Sequence, residues 1–495
     1  MQRRFGLAPL LALLGQSPHA VLVGLVLLGA VGVALSSQAG SNWLAERLGG
    51  AHAPETSAPE SALAIDWREA GQQAGGYLEA CLRFDTSAPG PPREQAAQWL
   101  HGILSQAGVE SRLVSTGPGR ACVVARLPGQ GAERPLVLYS RLDVLPPDPS
   151  DWTMPAFAGA VRDGYVYGCG ALEPKGHAVA SLMTLLLLRQ AGARLERDVI
   201  LLAVAGGEDD ARPTTRLLEE VYPEAQPEFL LSAGGGVVDL TPGQRAWMVS
   251  TFSKGYLTLR VGPAEADGGP EGRPGNASER LVMAVHRLLA WERPFVPTAA
   301  TNEFFRRLAL RYPFPVRQVL GQAAVWPRVL APQLLENPFS ADLVRDTVAL
   351  VRLEPWPEDP QRPSAVILVR AMPGRSRDAL LAELEAVAQD PGLRFEVLEE
   401  AQGQESSWDT PFFRAIERVA GREQAMAPVL PVGGLAGGSD RYRAQGVTCY
   451  GFLPFDLERP ELEQAPRGDE RISLWNLEQG VRRYLGIVVE LCAGR

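Results

Sequence analysis

Short apolar runs alternate with helical patterns along most of the chain from residue 65. The runs 135–139, 199–205 and 229–231 contain almost no polar residues, which is typical of parallel strands that are buried on both faces. Helical stretches such as 95–107 and 178–190 separate these runs. The alternation predicts an α/β fold with a doubly wound, mostly parallel sheet, in which ligands bind beyond the carboxyl ends of the strands.

The pattern changes near residue 251 and returns to α/β character near residue 403. Between these points it predicts three strands and two helices, at 256–261, 278–291, 365–372, 376–389 and 394–398, with a long insertion after the first helix. Leu380, Leu384 and Val387 form an apolar stripe along the second helix. This order predicts a small α+β domain of the split βαβ, or ferredoxin-like, type.

We therefore expect a small domain inserted into a larger one. Residues 64–250 and 403–495 are predicted to form the two parts of the α/β domain, and 251–402 the inserted lid domain. A length of 495 residues is consistent with two packed units, because a single core rarely exceeds about 250–300 residues.

An uncharged apolar segment dominates the N-terminus. At about 1.5 Å per residue, 20–37 is long enough to cross most of a bilayer, and Arg3 and Arg4 precede it. We expect a cytoplasmic tail (1–19), a transmembrane anchor (20–37), a linker rich in small residues and proline (38–63), and a body on the non-cytoplasmic side. The alternative is a secretory signal peptide, since 37–39 (Ser-Gln-Ala) resembles a cleavage site.

Composition excludes several classes of protein. With 46% hydrophobic and 21% charged residues, the chain is not largely disordered. A net charge of −9 argues against a nucleic-acid partner, because phosphate binding needs a concentrated basic surface. The five cysteines include no CxxC pair, which argues against a zinc ribbon, and there are only five histidines to serve as metal ligands.

Polar residues with chemical potential follow the predicted buried strands. They occur in the segments Ser140-Arg-Leu-Asp143, 163–176 and Glu208-Asp-Asp210, and the last of these could also be a solvated loop. In order and spacing the segments resemble the zinc-dependent peptidases that include aminoacylase, succinyl-diaminopimelate desuccinylase and yeast carboxypeptidase S. The resemblance extends from about residue 67 to the C-terminus and is strongest to the carboxypeptidase S and N-acyl amino-acid hydrolase branch.

The resemblance implies hydrolysis of peptide or N-acyl amino-acid bonds by two zinc ions, with a glutamate as general base. Asp143 matches the orienting aspartate and Glu208 the general base. Four positions that match the family's metal ligands are occupied by Arg141, Glu173, Asp209 and Ser232. The position of the family's last ligand histidine falls near Pro466. Arginine cannot bind a metal, serine is a poor zinc ligand, and no histidine follows His286.

These departures predict that no zinc binds and that the chain is a catalytically impaired relative, which binds a peptide or N-acyl amino-acid ligand or a partner. We expect the Arg141 guanidinium to replace the metal electrostatically, within salt-bridge range of Glu173 or Asp209. Two alternatives stay open. One is an active hydrolase with a rebuilt or single-zinc site, and the other is a structural component of a membrane assembly.

Two further residues have two interpretations each. Arg370 matches the lid arginine that binds the substrate carboxylate in the family, but it could equally be an ordinary residue at a strand end. His177 lies four residues after Glu173 and could share a metal with it, or could simply be packed. A homodimer formed through the lid domain is a further expectation.

Overall fold

The computed structural model describes residues 63–87, 93–131, 133–205, 220–221, 226–241, 244–264, 276–336, 341–423, 429–434, 439–457 and 468–493. These residues fall into two compact units: a large unit, which contains the described residues before 254 and after 403, and a small unit, 254–403. The predicted tail and membrane anchor lie outside the described residues. Among the helices that the structure describes, none is long and apolar enough to cross a membrane.

The elements are numbered in chain order. The helices are α1 (Trp67–Leu82), α2 (Glu94–Gln106), α3 (Lys175–Gln190), α4 (Ala277–Ala290), α5 (Ala299–Ala309), α6 (Val316–Leu320), α7 (Trp326–Glu336), α8 (Arg377–Ala388), α9 (Pro411–Glu423), α10 (Asp440–Ala444) and α11 (Leu474–Cys492). The strands are β1 (Glu110–Gly117), β2 (Arg120–Leu127), β3 (Glu133–Arg141), β4 (Ala160–Arg162), β5 (Tyr165–Tyr167), β6 (Arg197–Ala205), β7 (Phe229–Ser232), β8 (Gly236–Thr241), β9 (Gln244–Ser253), β10 (Gly255–Pro263), β11 (Thr347–Trp356), β12 (Asp359–Ala371), β13 (Leu393–Ala401), β14 (Gln404–Glu405), β15 (Val429–Gly434), β16 (Thr448–Gly451) and β17 (Arg471–Ser473).

The main sheet of the large unit is mixed, with the order β1-β2-β6-β3-β7-β16-β9-β14, and β8 and β15 also pair with β9. The α/β class is confirmed, but the expectation of a mostly parallel sheet is wrong. Among the described strands, parallel pairing is confined to β6-β3-β7-β16 and to β15 with β9. Very short connections join β1 to β2 and β8 to β9, and such connections allow only antiparallel pairing.

Both faces of this sheet are buried. On one face Leu138 and Leu201 belong to the core that also contains residues of α1, α2, α3, α9 and α11. On the other face Tyr139 and Leu202 pack with Tyr442 of α10. Every residue of β6 is buried, which explains why its sequence is apolar without alternation and confirms the prediction of a buried strand there.

The small unit has the order β11-β12-β10-β13, all antiparallel, and it contains the two helices α4 and α8 between strands. This is the split βαβ arrangement. Leu380 and Leu384 of α8 pack on one face of the sheet together with Leu281 of α4. The long insertion contains α5, α6 and α7, which form a separate apolar cluster around the buried Trp326.

Candidate functional site at the ends of the parallel strands

Three strands of the large unit end at the same edge of the sheet. Arg141 is the last residue of β3 and lies opposite Val204 of β6, while Ser232 ends β7, one position beyond the pairing of Leu138 with Leu231. Since all three strands are parallel, the residues that follow them meet at one edge. Glu208 and Asp209 follow β6, but they lie outside the described residues.

The chain beyond Arg141 is held firmly at this edge. The Leu142 amide donates to the Val204 carbonyl at 2.8 Å, and the Leu142 carbonyl accepts from the Thr86 hydroxyl at 2.7 Å. Asp143 is therefore fixed directly after the strand, and only 7% of its surface is exposed. The backbone places Arg141 and Asp143 as the sequence predicts, at the carboxyl end of a buried strand. The expected ion pair of Arg141 with Glu173 or Asp209 stays a prediction.

Glu173 lies at the end of a loop that is organised around a buried carboxylate. The Glu470 carboxylate accepts backbone hydrogen bonds from Gly170 and Leu172, each at 2.7 Å, and another from the Glu173 amide. Burial raises the pKa of Glu470 to about 7, although these three donors oppose the shift. Glu470 therefore fixes the backbone that presents the exposed side chain of Glu173.

Lys175 also stabilises this loop, at the start of α3. Its side chain is completely buried, and its Nζ donates to the Phe84 carbonyl at 2.6 Å. Burial lowers the pKa of this amine, while neighbouring groups that include Glu470 oppose the shift. The sequence does not reveal the roles of Glu470 and Lys175. Lys175 lies within the segment 163–176 that carries the family resemblance, but the partners of Glu470 are backbone amides about 300 residues away.

Ser232 uses its hydroxyl within the sheet. The Oγ lies 3.3 Å from the Ala233 carbonyl and 3.4 Å from the Tyr450 carbonyl of the neighbouring β16, and the residue is 8% exposed. A hydroxyl that donates to carbonyl oxygens satisfies the backbone. Ser232 therefore lies where the sequence predicts, at the end of β7, but the geometry gives it a structural role.

His177 is packed in the interior. Its Nδ1 lies 3.3 Å from the Ser140 hydroxyl, and its Nε2 contacts the Tyr484 hydroxyl, which donates to the Phe452 carbonyl at 2.9 Å. Burial lowers the pKa of His177 to about 3, so the ring is neutral near pH 7. Burial, and secondarily the charge of Glu173, raises the pKa of Tyr484. Because both ring nitrogens have partners in the interior, the geometry favours the interpretation of His177 as a packed residue.

Arg370 belongs to the small unit, where it lies near the end of β12. It pairs with Tyr256 of β10 on one side and with Thr347 of β11 on the other, and its side chain is half-buried. Its position near a strand end agrees with both interpretations of this arginine.

Within the described part of the chain, the positions that match the family's metal ligands are Arg141, Glu173 and Ser232. Nowhere in the described part of the chain do three His, Cys, Asp or Glu side chains come together as a metal site. At the edge of the large sheet, Arg141 offers a cation and Ser232 a hydroxyl that already bonds to carbonyls. Asp143 and Glu173 are the carboxylates at these positions among the described residues. Glu208, Asp209 and Pro466 lie outside them.

Comparison with known proteins identifies the family. Residues 137–490 match the model of peptidase family M20/M25/M40, which is well over half of the chain, and the chain belongs to this family.

Curated relatives include two kinds of enzyme. Over 374 residues the chain is 24% identical to the N-fatty-acyl-amino acid synthase/hydrolase PM20D1 of Xenopus tropicalis, a match that covers 72% of each protein. Over 126 residues it is 35% identical to succinyl-diaminopimelate desuccinylase of Bradyrhizobium sp. (strain ORS 278), covering 24% of this chain and 33% of the relative. The resemblance deduced from the strand-end motifs is therefore confirmed.

Solved structures share the fold. An M20 family metallo-carboxypeptidase from Sulfolobus solfataricus aligns with a TM-score of 0.63 at 18% identity, covering 86% of this chain and 99% of that protein. Human carnosine dipeptidase 1 aligns with a TM-score of 0.60 at 14% identity, covering 88% of this chain and 99% of that protein.

Proposed function

We propose that this member of the M20 family binds a peptide or N-acyl amino-acid ligand on the non-cytoplasmic side of a membrane and hydrolyses it weakly or not at all. In this proposal the family's amide-hydrolysing site has become a binding site. The N-acyl amino-acid class is supported by the likeness to a protein named an N-fatty-acyl-amino acid synthase/hydrolase.

The observation that carries the proposal is Arg141 at the end of β3. A guanidinium there cannot hold zinc, but it can bind two carboxylate oxygens at once. A site with this cation and without the metal retains a means of binding an acidic ligand. It lacks the means of activating water at neutral pH, because a bound metal is what lowers the pKa of that water.

Metal content tests the proposal. The full chain, purified from cells grown in zinc-rich medium and dialysed, is expected to retain less than one zinc per molecule by elemental analysis. Its unfolding midpoint should not change with a chelator, since no metal-binding free energy is linked to folding. Stoichiometric zinc that survives dialysis would overturn the proposal.

Arg141→His provides a second test of the same site. If the loss of ligands extends beyond Arg141, this variant should neither gain stoichiometric zinc nor begin to hydrolyse N-acyl amino acids, because Ser232 still lacks a carboxylate. Arg317→His, at an exposed position of the small unit, is the matched control for adding a histidine. A hydrolytic R141H variant would mean that a single substitution had silenced the site.

An active hydrolase with a rebuilt or single-zinc site is the second candidate. Glu470 and Lys175 favour it, because they still hold the Glu173 loop in a defined conformation. Turnover of an N-acyl amino acid by the dialysed protein, abolished by a chelator and by Glu208→Gln, would establish this candidate in place of the first.

Self-association is proposed through the small unit. β11 is an edge strand of its sheet, and Leu350, Val351 and Leu353 on it are exposed. An exposed apolar edge strand is a template for pairing with another strand. Val351→Lys is expected to convert a dimer into a monomer in sedimentation measurements, and a monomeric wild type would refute the proposal.

A further inference from the structure

The inserted helices of the small unit bury their apolar residues incompletely. In the cluster around Trp326 four apolar side chains are buried, and seven more, among them Tyr312 and Val316, are only partly buried. A cluster with more partly buried than buried members leaves apolar surface in contact with solvent. A contiguous apolar surface of this kind commonly marks a docking site.

Two apolar side chains are presented by the turn that joins α5 to α6. Leu310 is 58% exposed and Phe314 is 67% exposed. The turn is ordered, because the Tyr312 amide donates to the Ala309 carbonyl at 3.1 Å and the Tyr312 side chain packs in the Trp326 cluster. The backbone therefore holds Leu310 and Phe314 together at the surface.

The inserted helices also carry an excess of positive charge. Residues 299–336 contain five arginines and two glutamates, an excess of three positive charges in a chain whose net charge is −9. One of the two glutamates, Glu303, pairs with both Arg306 and Arg307, at 2.6 Å each. This balance makes the segment complementary to an anionic surface.

Two of these arginines flank the exposed apolar pair. Arg311 lies between Leu310 and Phe314 in the chain, and no described carboxylate pairs with it. Arg306 precedes Leu310 by four residues, which places both on one face of the end of α5, and the Arg306 side chain is 56% exposed. Apolar side chains bordered by basic ones are typical of segments that lie in the headgroup region of a bilayer.

We infer that this turn, with Arg306 and Arg311, docks on a phospholipid bilayer that contains anionic lipids. Leu310 and Phe314 enter the boundary between headgroups and acyl chains, while the guanidinium groups bind lipid phosphates. A second copy of the chain fits this surface less well, because a symmetric interface would bring the same arginines against one another.

The predicted N-terminal anchor brings a bilayer within reach of the turn. The described residues begin at Leu63, which is the end of the predicted linker 38–63 after the anchor 20–37. A flexible linker of that length has a root-mean-square reach of about 30 Å. The inference uses the anchor only for this proximity and does not rest on ligand binding at Arg141, so the docking and the proposed function can fail separately.

Photo-crosslinking tests the docking in the full chain. The chain carrying Phe314→p-benzoylphenylalanine is reconstituted with vesicles of phosphatidylcholine, alone or mixed with phosphatidylglycerol, and irradiated. Mass spectrometry is expected to find lipid adducts at position 314, several times more abundant when phosphatidylglycerol is present. Leu353→p-benzoylphenylalanine is the matched control and should give few lipid adducts, because Leu353 is similarly exposed, at 64%, but lies on β11 of the same unit.

The contribution of Arg311 is tested on the same photo-reactive background. Arg311→Gln should lower the yield of lipid adducts at position 314 by up to about fivefold in vesicles with phosphatidylglycerol, and should not lower it in phosphatidylcholine alone. Arg311→Lys, which keeps the charge, should retain most of the yield. Arg377→Gln, which removes an exposed positive charge elsewhere in the small unit, should leave the yield unchanged.

Unfolding temperatures in detergent guard against variants that merely misfold. The two photo-reactive variants should match wild type, and R311Q should match R311K, so that a difference in yield between these two reports the charge alone. Four results would overturn the inference: adducts at position 314 between two protein chains, equal lipid adducts at positions 314 and 353, no lipid adduct with either vesicle, or full yield from R311Q.

Discussion

At the scale of single residues, the sequence predicts where the site residues lie along the strands. It does not predict which buried side chains hold them in place. Arg141, Asp143 and Ser232 directly follow or end apolar runs, so their place at the edge of the sheet is predictable. The role of Glu470 is not, because a buried carboxylate that bonds to backbone amides has no side-chain partner to give a sequence signal. His177 is likewise kept neutral by burial, which only the tertiary fold creates.

Glu470 makes a specific contribution to the pH dependence of folding. Its folded-state pKa of about 7 lies above the ordinary value of 4.5, so the folded state binds this proton more tightly than the unfolded state does. The contribution is fully present below pH 4.5 and is lost as the pH rises to about 7, by up to about 3 kcal/mol. His177 acts in the opposite sense at acidic pH, because its pKa is depressed.

Comparison with Glu470→Gln separates the two effects. The free energy of unfolding of wild type relative to E470Q, measured in urea at pH 4.5, 5.5, 6.5 and 7.5, is expected to fall as the pH rises. His177 is present in both proteins and cancels in the difference. A difference that does not vary with pH would show that the Glu470 carboxyl titrates normally.

At the scale of elements, burial on both faces decides what the sequence reveals. β6 is apolar throughout and is easily predicted, whereas the eight residues of β1 are mostly exposed or half-buried and give no clear period. The parallel centre of the sheet is therefore predictable, and its antiparallel margins, where short turns decide the pairing, are not. The hydrophobic pattern also fails to predict where α3 begins, because its first residues, Lys175, Gly176 and His177, are buried although they are polar or small.

Gly176 is the point where α3 meets the Glu173 loop. A Cβ there would lie 2.1 Å from the Ala171 carbonyl oxygen, a backbone atom that cannot move without disturbing the loop. Gly176→Ala is therefore expected to destabilise the protein by about 1–3 kcal/mol in urea unfolding. Gly102→Ala in α2, where no atom lies within 4 Å of the added carbon, should instead stabilise by about 0.5–1 kcal/mol. Equal effects of the two substitutions would contradict this packing argument.

At the scale of the whole molecule, the change of period along the chain corresponds to a change of architecture. The small unit begins at Lys254 and ends at Gly403, and the strands on either side of it, β9 and β14, pair with each other at Ser253 and Gln404. The chain thus leaves the large unit and re-enters it at neighbouring positions of one sheet. The helices α5–α7 have no counterpart in a split βαβ pattern, which is why the sequence predicts only an insertion there.

The orientation of the whole chain in a membrane is also testable. Arg3 and Arg4 precede the apolar segment 20–37, so we expect the body to lie on the non-cytoplasmic side. Alkaline phosphatase, which is active only after export, should be active when fused after Arg495 in a bacterial host. The same fusion carrying a cytoplasmic reporter is the control and should be inactive, whereas the reverse pattern would disprove the orientation.

The buried position of Lys175 has a practical consequence, because the entire sequence contains only one other lysine, Lys254. The two side chains are 0% and 7% exposed. The folded protein therefore offers almost no lysine amine to an acylating reagent or to a lysine-specific protease. Modification of Lys175 requires the large unit to open, and modification of Lys254 requires the small unit to open. The rates of labelling at these two positions, read by peptide mass spectrometry, would thus report the opening of each unit separately in the unmodified protein.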